Sequence, residues 1–166
     1  VEVVNPIELF ENYVYVSGTS PVFVEHFSNY AKSIIETYNP SLKSYILDIG
    51  SNDGTLLKFF QKMGYSTIGV DPAIDISKKA QEDGVTTIND FFNLETSIKI
   101  KEQYSTACLI TANNVFAHSD DLIGITKAVK NLLTKEGLFI FEVSYLVDVY
   151  QKTLFDTIYH EHLSYH

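Results

Sequence analysis

Hydrophobic and polar positions along this 166-residue chain repeat with either helical or strand spacing. A long helix is predicted between Ser20 and Asn39, because Ser20-Pro21 is a typical helix start and Asn39-Pro40 a typical end. Its apolar stripe consists of Phe23, Phe27, Tyr30, Ala31, Ile34 and Tyr38. Short apolar runs predict strands at about 45–49, 66–70, 85–88, 106–111 and 138–143. Helical patterns near 55–63, 74–82, 94–103 and 121–133 separate these strands.

This alternation of strands and helices predicts an α/β fold, in which helices cover both faces of a parallel sheet. Gly64, Gly84 and Gly137 lie where helices are expected to end. We expect residues 1–40 to form an N-terminal segment and helix that pack on a core formed by residues 41–166.

The first predicted strand runs into a glycine-containing loop with acidic residues around it. The loop reads Asp48-Ile49-Gly50-Ser51-Asn52-Asp53-Gly54, and the second strand ends at Asp71-Pro72. A strand, a tight loop, a helix and a second strand with a terminal acid are typical of a nucleoside-binding unit, whose acid accepts hydrogen bonds from ribose hydroxyls. Gly50 and Gly54 are expected to let the backbone approach the ligand closely.

The loop lacks the third glycine of a dinucleotide-binding motif, and Asp48 and Asp53 would repel a phosphate. An acidic loop suits a ligand that carries an ammonium and a sulfonium, which S-adenosylmethionine does. The order Asp48-x-Gly50-x-x-x-Gly54 resembles the first motif of class I methyltransferases, and Asp71 matches their ribose-binding acid. That resemblance implies a Rossmann-like sheet of seven strands. Since five can be placed here, we expect a fragment that is truncated before the last strands.

Polar residues also follow the third and fourth strands. Asp90 and Phe91 either bind the adenine or form a helix-capping turn. Asn113, Asn114 and His118 follow the fourth strand, at the edge where such sheets bind ligands.

The last segment, from Phe155 to Tyr165, is dense in polar and titratable side chains. In an extended conformation Tyr159 and Glu161 face one way, while His160 and His162 face the other. Two histidines without a third ligand are a weak case for a metal, so no metal is predicted.

Three strings of this chain resemble the sugar C-methyltransferases, which methylate the carbon beside the ketone of nucleotide-linked deoxy sugars. The strings are Ser20-Pro21-x-Phe23-Val24-Glu25-His26-Phe27, Asn113-Asn114-Val115-Phe116-Ala117-His118 and Phe155-Asp156-Thr157-Ile158-Tyr159-His160-Glu161-His162-Leu163-Ser164-Tyr165. The resemblance implies that His162 is the catalytic base, that Tyr159 and Glu161 support it, and that His118 is a further active-site histidine. It also implies a tyrosine from Tyr13-Val14-Tyr15. Imidazole suits proton abstraction near neutral pH.

Net charge and composition limit the classes of partner that this chain can bind. A formal net charge of −9 argues against nucleic acid, and no stretch suits a membrane span or a signal peptide, so a cytoplasmic location is expected. The single Cys108 is expected in the core. All 12 basic residues are lysine, which leaves a sugar nucleotide's diphosphate without an arginine partner. We therefore expect this chain to bind the cofactor and to need missing N- and C-terminal parts of the same protein for turnover.

Three alternatives stay open. A methyltransferase with an O or N acceptor would share the cofactor loop but would not need the Tyr-His-Glu-His string. An NAD-dependent oxidoreductase is disfavoured by the missing glycine. A binding module could keep the cofactor fold without catalysis.

Overall fold

The computed structural model describes residues 5–11, 13–158 and 161–166. Two helices precede the sheet, α1 (Pro6–Phe10) and α2 (Pro21–Tyr38). The strands are β1 (Tyr45–Ile49), β2 (Thr67–Val70), β3 (Thr87–Ile88), β4 (Ala107–Asn113) and β5 (Leu133–Glu142). The helices between and after them are α3 (Thr55–Lys62), α4 (Ile74–Glu82), α5 (Leu94–Tyr104), α6 (Leu122–Leu132) and α7 (Leu146–Gln151). Short 3-10 helices span Ser17–Thr19, Phe116–His118 and Phe155–Thr157.

The five strands form one parallel sheet in the order β3-β2-β1-β4-β5. Successive residues of β1 point to opposite faces, so that Leu47 joins the core with Ala128 of α6, while Ile46 joins the core with Phe60 of α3. Helices therefore cover both faces, which confirms the predicted Rossmann-like fold. From β1 the chain adds β2 and β3 on one side of the sheet and then crosses back to add β4 and β5 on the other side. The strand order therefore reverses between β1 and β4, and open α/β sheets bind ligands at such a switch point.

The predicted ends of α2 are confirmed. The Ser20 hydroxyl accepts a hydrogen bond from the Phe23 amide at 3.5 Å, and Asn39 ends the helix with a left-handed φ of 44°. Phe27, Ala31 and Ile34 of the predicted stripe are buried, and this face packs against α3. The stripe fails at its two ends, because Phe23 and Tyr38 remain exposed.

The predicted role of Gly137 is wrong. Gly64 and Gly84 do end helices, with φ of 91° and 85°, but α6 ends at Leu132 and β5 begins at once. Ala107 pairs with Leu133 and Leu109 with Leu138, so a bulge in β5 absorbs the extra residues, Gly137 among them. A β-carbon on Gly137 would lie 2.8 Å from the Leu133 Cδ2 atom, so close packing within the bulge explains this glycine.

The sequence reading missed α1, α7 and the three 3-10 helices. Tyr159 and His160, and with them the proposed alternation of faces, lie outside the described residues. Glu161 is in a turn rather than in a strand. Within the described part of the chain, no helix has the length and apolarity to cross a membrane.

Candidate functional site

A cavity of about 1070 Å³ opens where the carboxyl ends of β1, β2 and β4 meet. Its lining brings together twelve residues that the sequence predicted for the site: Asp48, Gly50, Ser51, Asn52, Asp71, Pro72, Phe91, Asn113, Asn114, His118, Glu161 and His162. Gly54 and Asp90 are not in the lining, and Tyr159 lies outside the described residues. Residues separated by more than a hundred positions in sequence thus share one space.

Asp71, at the end of β2, is held rigidly at the cavity wall. One carboxylate oxygen accepts a hydrogen bond from the Asn52 amide at 2.8 Å, and the other accepts one from the Ala73 amide at 2.9 Å. Burial raises the pKa of this carboxyl, while the hydrogen bonds from the two backbone amides oppose that rise. A carboxylate has about four acceptor positions, so acceptor capacity remains for two ribose hydroxyls.

Asp48, at the end of β1, is a buried carboxyl in the same cavity wall. It is 4% exposed and accepts a hydrogen bond from the Thr111 hydroxyl at 2.6 Å. Burial raises its pKa to about 7, and the nearby Asp71 carboxylate adds to the rise. A ligand cation beside Asp48 would offset this cost, as the cofactor's ammonium or sulfonium can.

The two loop glycines have packing partners of their own. Both adopt left-handed backbone, with φ of 68° at Gly50 and 74° at Gly54. A β-carbon on Gly50 would collide with the Val115 side chain, and one on Gly54 would lie 2.8 Å from the Val85 Cγ2 atom. Backbone conformation and close packing thus explain both glycines, in place of the close approach to a ligand expected from sequence. A cofactor contact at either glycine remains a prediction.

Asp90 belongs to a turn before α5. Its carboxylate accepts hydrogen bonds from the Phe91 amide at 2.8 Å and the Thr96 hydroxyl at 3.0 Å. Asn93 caps α5 by accepting from the Thr96 amide at 3.0 Å. Of the two sequence interpretations, this geometry is that of the capping turn, and adenine binding by Asp90 remains a prediction.

Three side chains in the lining carry buried polar atoms that lack hydrogen bonds of normal geometry within the described residues. These atoms are the Ser51 hydroxyl, the oxygen and nitrogen of the Asn113 carboxamide, and the Nε2 atom of His118. Buried polar atoms in native proteins are nearly always paired. A polar ligand with both donors and acceptors, such as the amino-acid part of S-adenosylmethionine, fits this wall.

His118 and His162 meet at the other side of the cavity. Their ring centroids are 5.3 Å apart, and Phe10 stacks on His118 at 5.7 Å. Burial lowers the pKa of His118 to about 4, and the neighbouring His162 contributes to the drop, so His118 is neutral near pH 7. Leu163 donates its amide to the Ala117 carbonyl at 2.9 Å, which fixes the segment of His162 beside the loop of His118.

The N-terminal segment, from which the sequence resemblance implied a tyrosine at the site, also hydrogen-bonds to the cofactor loop, and these bonds were not predicted. The Asn52 side chain donates to the Tyr15 carbonyl at 2.8 Å and accepts from the Ser17 amide at 2.9 Å. Tyr13 and Tyr15 both line the cavity, and the Tyr13 hydroxyl donates to a Glu161 carboxylate oxygen at 3.5 Å. The polar and aromatic run Tyr13-Val14-Tyr15-Val16-Ser17-Gly18-Thr19 was the available signal.

A family described as "Methyltransferase domain" matches residues 23–166 of this chain. The chain belongs to this family. It is 34% identical over 163 residues to the C-methyltransferase NovU of Streptomyces niveus, covering 98% of this chain and 39% of that protein. The chain therefore spans well under half the length of this curated relative.

Solved methyltransferases share the fold of this domain. An S-adenosylmethionine-dependent methyltransferase from Clostridium acetobutylicum superposes with a TM-score of 0.59 at 22% identity, over 78% of this chain and 54% of the other. The plantazolicin methyltransferase BpumL, solved with a pentazolic desmethylPZN analogue and SAH, superposes with a TM-score of 0.60 at 16% identity, over 87% of this chain and 55% of the other. These structures show the shared fold. The family match makes the chain an S-adenosylmethionine-dependent methyltransferase domain and confirms the predicted cofactor.

The charge around this methyltransferase cavity is acidic. Asp48, Asp71 and Glu161 line it, as do three further acids, and Lys127 is the one cationic side chain among the described lining residues. Within the described residues no group of three potential ligands is placed to hold a metal ion. The cavity therefore suits a cationic cofactor better than a diphosphate.

Proposed function

We propose that this domain belongs to an S-adenosylmethionine-dependent C-methyltransferase that acts on a nucleotide-linked keto-deoxy sugar. The observation that carries the proposal is the single cavity lined by Asp71 at one side and by His118, His162 and Glu161 at the other. Such a space brings a cofactor and a proton-accepting imidazole to the same acceptor. Similarity to the C-methyltransferase NovU supports carbon as the methylated atom.

The cofactor site in this proposal is built on the ends of β1, β2 and β4. Asp71 accepts hydrogen bonds from the ribose hydroxyls, and Asp48 lies near the cationic groups. Ser51, Asn113 and Asn114 bind the amino-acid part, and Phe91 packs against the adenine from the cavity wall, next to Pro72.

His162 is the proposed general base. An imidazole nitrogen of His162 would take the proton from the carbon beside the ketone and become imidazolium, and the C–H electron pair would form the enolate. The bound cofactor would supply the methyl group to the enolate carbon from its sulfonium; the methyl–sulfur bond would break with its electron pair on sulfur, and S-adenosylhomocysteine would leave. His118, which is neutral near pH 7, can donate a hydrogen bond to the enolate oxygen. Tyr159 and Glu161 orient His162, and Glu161 is in contact with Tyr13.

The acceptor's diphosphate is assigned to parts of a longer enzyme. The chain spans 39% of the length of NovU, and Lys127 is the one cation in the described lining. Phosphate recognition normally uses several cationic or amide donors. We therefore propose that other segments supply these partners.

Two measurements test the proposal at separate points. Calorimetry of this chain with S-adenosylhomocysteine tests the cofactor site, with NAD as the negative control. Mass spectrometry or NMR of the product, formed by the whole enzyme from a nucleotide-linked keto sugar, tests the acceptor. A new methyl on carbon beside the ketone is the expected result, and methylation of an oxygen or nitrogen instead would contradict it.

A second acceptor class is kept because of the structural neighbours. BpumL, with the same fold, is a methyltransferase of plantazolicin. An O or N acceptor needs no carbon acid to be deprotonated. Under that alternative, the hydrogen at the carbon beside the ketone would not exchange with solvent.

A further inference from the structure

We propose that Asn52 is a positioning residue that holds the segment of residues 13–19, here called the strap, over the cavity and so joins the cofactor site to the acceptor site. This inference rests on the proposed function, because it assigns the two sides of the cavity to cofactor and acceptor. It adds a role for Asn52 through the strap, beyond any direct contact with the cofactor.

Asn52 makes three hydrogen bonds that lead in two directions. Its backbone amide donates, at 2.8 Å, to the carboxylate of Asp71, the proposed ribose-binding acid. Its side chain donates to the Tyr15 carbonyl at 2.8 Å and accepts from the Ser17 amide at 2.9 Å. The Asn52 carboxamide is therefore hydrogen-bonded to the strap on both sides of Val16, while the Asn52 backbone is hydrogen-bonded to Asp71.

The next residue extends this attachment. One Asp53 carboxylate oxygen accepts from the Gly18 amide at 3.1 Å, and the other accepts from the Thr55 hydroxyl at 2.7 Å. A β-carbon on Gly18 would collide with the Asp53 carboxylate, so the strap lies directly on the loop. The strap is therefore fixed to the cofactor loop by side chains of two adjacent residues.

The strap reaches the acceptor side through its aromatic residues. Tyr13 and Tyr15 line the cavity, and the Tyr13 hydroxyl donates to Glu161 at 3.5 Å. Glu161 immediately precedes His162, whose ring lies 5.3 Å from that of His118. Loss of the Asn52 side chain would therefore loosen the strap and its contact with Glu161, whereas the hydrogen bonds from backbone amides to Asp71 would remain.

Asn52→Gly is the direct test because it removes only the carboxamide. Asn52 has a left-handed φ of 51°, which glycine adopts without strain. The variant also keeps the backbone N–H that donates a hydrogen bond to Asp71. Asn39→Gly is the matched control, since Asn39 is also left-handed, with φ of 44°, and lies at the far end of α2. Ser17→Pro is a second variant that removes the N–H donated to Asn52, together with the Ser17 hydroxyl, at the first position of a 3-10 helix where proline is tolerated.

The readouts are hydrogen exchange of the strap amides and S-adenosylhomocysteine affinity, both measured on this chain. Each hydrogen bond between Asn52 and the strap is expected to slow exchange of the strap amides by roughly five- to tenfold. Asn52→Gly loses both bonds and should exchange about 30-fold faster, whereas Ser17→Pro loses one and should exchange about fivefold faster. Asn39→Gly should match the wild type. Affinity for S-adenosylhomocysteine should fall less in Asn52→Gly than in Asp71→Ala, because the proposed ribose acid keeps its backbone amide donors, and should match the wild type in Asn39→Gly.

In the whole enzyme, Asn52→Gly should raise KM for the acceptor and lower kcat, together about 30-fold, while KM for the cofactor changes less than in Asp71→Ala. Strap exchange equal to that of the wild type would overturn the inference, as would an affinity loss as large as that of Asp71→Ala. If the wild-type chain binds no S-adenosylhomocysteine, the proposed function fails, whereas the exchange data still decide whether Asn52 holds the strap.

Discussion

Asp48 is expected to lower the stability of the ligand-free protein, and replacing it with asparagine should reverse that effect. The carboxyl is 4% exposed, and a Thr111 hydroxyl is the hydrogen-bond donor described for it. Burial raises its pKa from 3.8 to about 7, and the Asp71 carboxylate adds to that rise. Asparagine keeps a side-chain oxygen for Thr111 and carries no charge.

The sign of the effect follows from proton linkage. Between about pH 4 and pH 7 the folded protein keeps the Asp48 proton while the unfolded chain has released it, so stability falls as pH rises through this window. At about 1.4 kcal/mol per pH unit, the ionised carboxyl costs the folded state on the order of 4 kcal/mol at pH 8. Solvent penetration and relaxation reduce this figure, so a gain of about 1–4 kcal/mol is expected for Asp48→Asn at pH 8.

Urea unfolding of the ligand-free chain at pH 5 and pH 8 measures this gain. The gain at pH 8 should exceed the gain at pH 5 by about three-fifths of its value, roughly 0.6–2.5 kcal/mol, because only part of the titration window lies below pH 5. Asp75→Asn, at an exposed position in α4, is the control and should show no such difference. Cofactor affinity should fall at least about tenfold in Asp48→Asn, because the variant lacks the carboxylate that we propose to lie near the cofactor's cationic groups. An equal gain at both pH values would refute the reasoning.

Three further outcomes are expected. Asp71→Ala should weaken S-adenosylhomocysteine binding by about 1–3 kcal/mol in calorimetry, with Asp75→Ala unchanged; an unaltered affinity would remove Asp71 from the ribose site. His118→Asn should flatten the loss of stability between about pH 6.5 and 4, which the wild type shows because its neutral, buried His118 resists protonation; an unchanged pH profile would contradict this. The purified 166-residue chain should show negligible turnover of a nucleotide-linked keto sugar, and robust methyl transfer would be the contrary result.

Local signals in the sequence were sufficient for the sheet and for most of the cavity wall. Ser20 and Asn39 marked the ends of α2 through capping chemistry, and the acids at the ends of β1 and β2 marked the cofactor side. Parallel strands bring their carboxyl ends to one edge, so Asn113 and His118 could be assigned to the site before any contact was known.

Features that depend on contacts between distant segments were missed. The bulge in β5 depends on its register with β4, so Gly137 read as a helix end. A tyrosine of the strap was expected at the site, but the attachment of the strap to Asn52 was missed because Tyr15 and Ser17 contact Asn52 through backbone groups, which carry no residue-specific signal. The two loop glycines were assigned to the ligand, although Val115 and Val85 occupy the space beside them.

Solvent deuterium exchange at the acidic sugar carbon, followed without methyl transfer, tests the assignment of His162 as the base most directly. The measurement uses the whole enzyme with S-adenosylhomocysteine and a nucleotide-linked keto sugar, and compares wild type, His162→Ala and the control His166→Ala, an exposed histidine four residues away. Loss of a general base typically costs about 10²–10⁴-fold, so exchange in His162→Ala should slow by that factor while cofactor affinity and the exchange rate of His166→Ala stay near wild type. Exchange at the normal rate in His162→Ala would contradict the assignment and make His118 the first candidate.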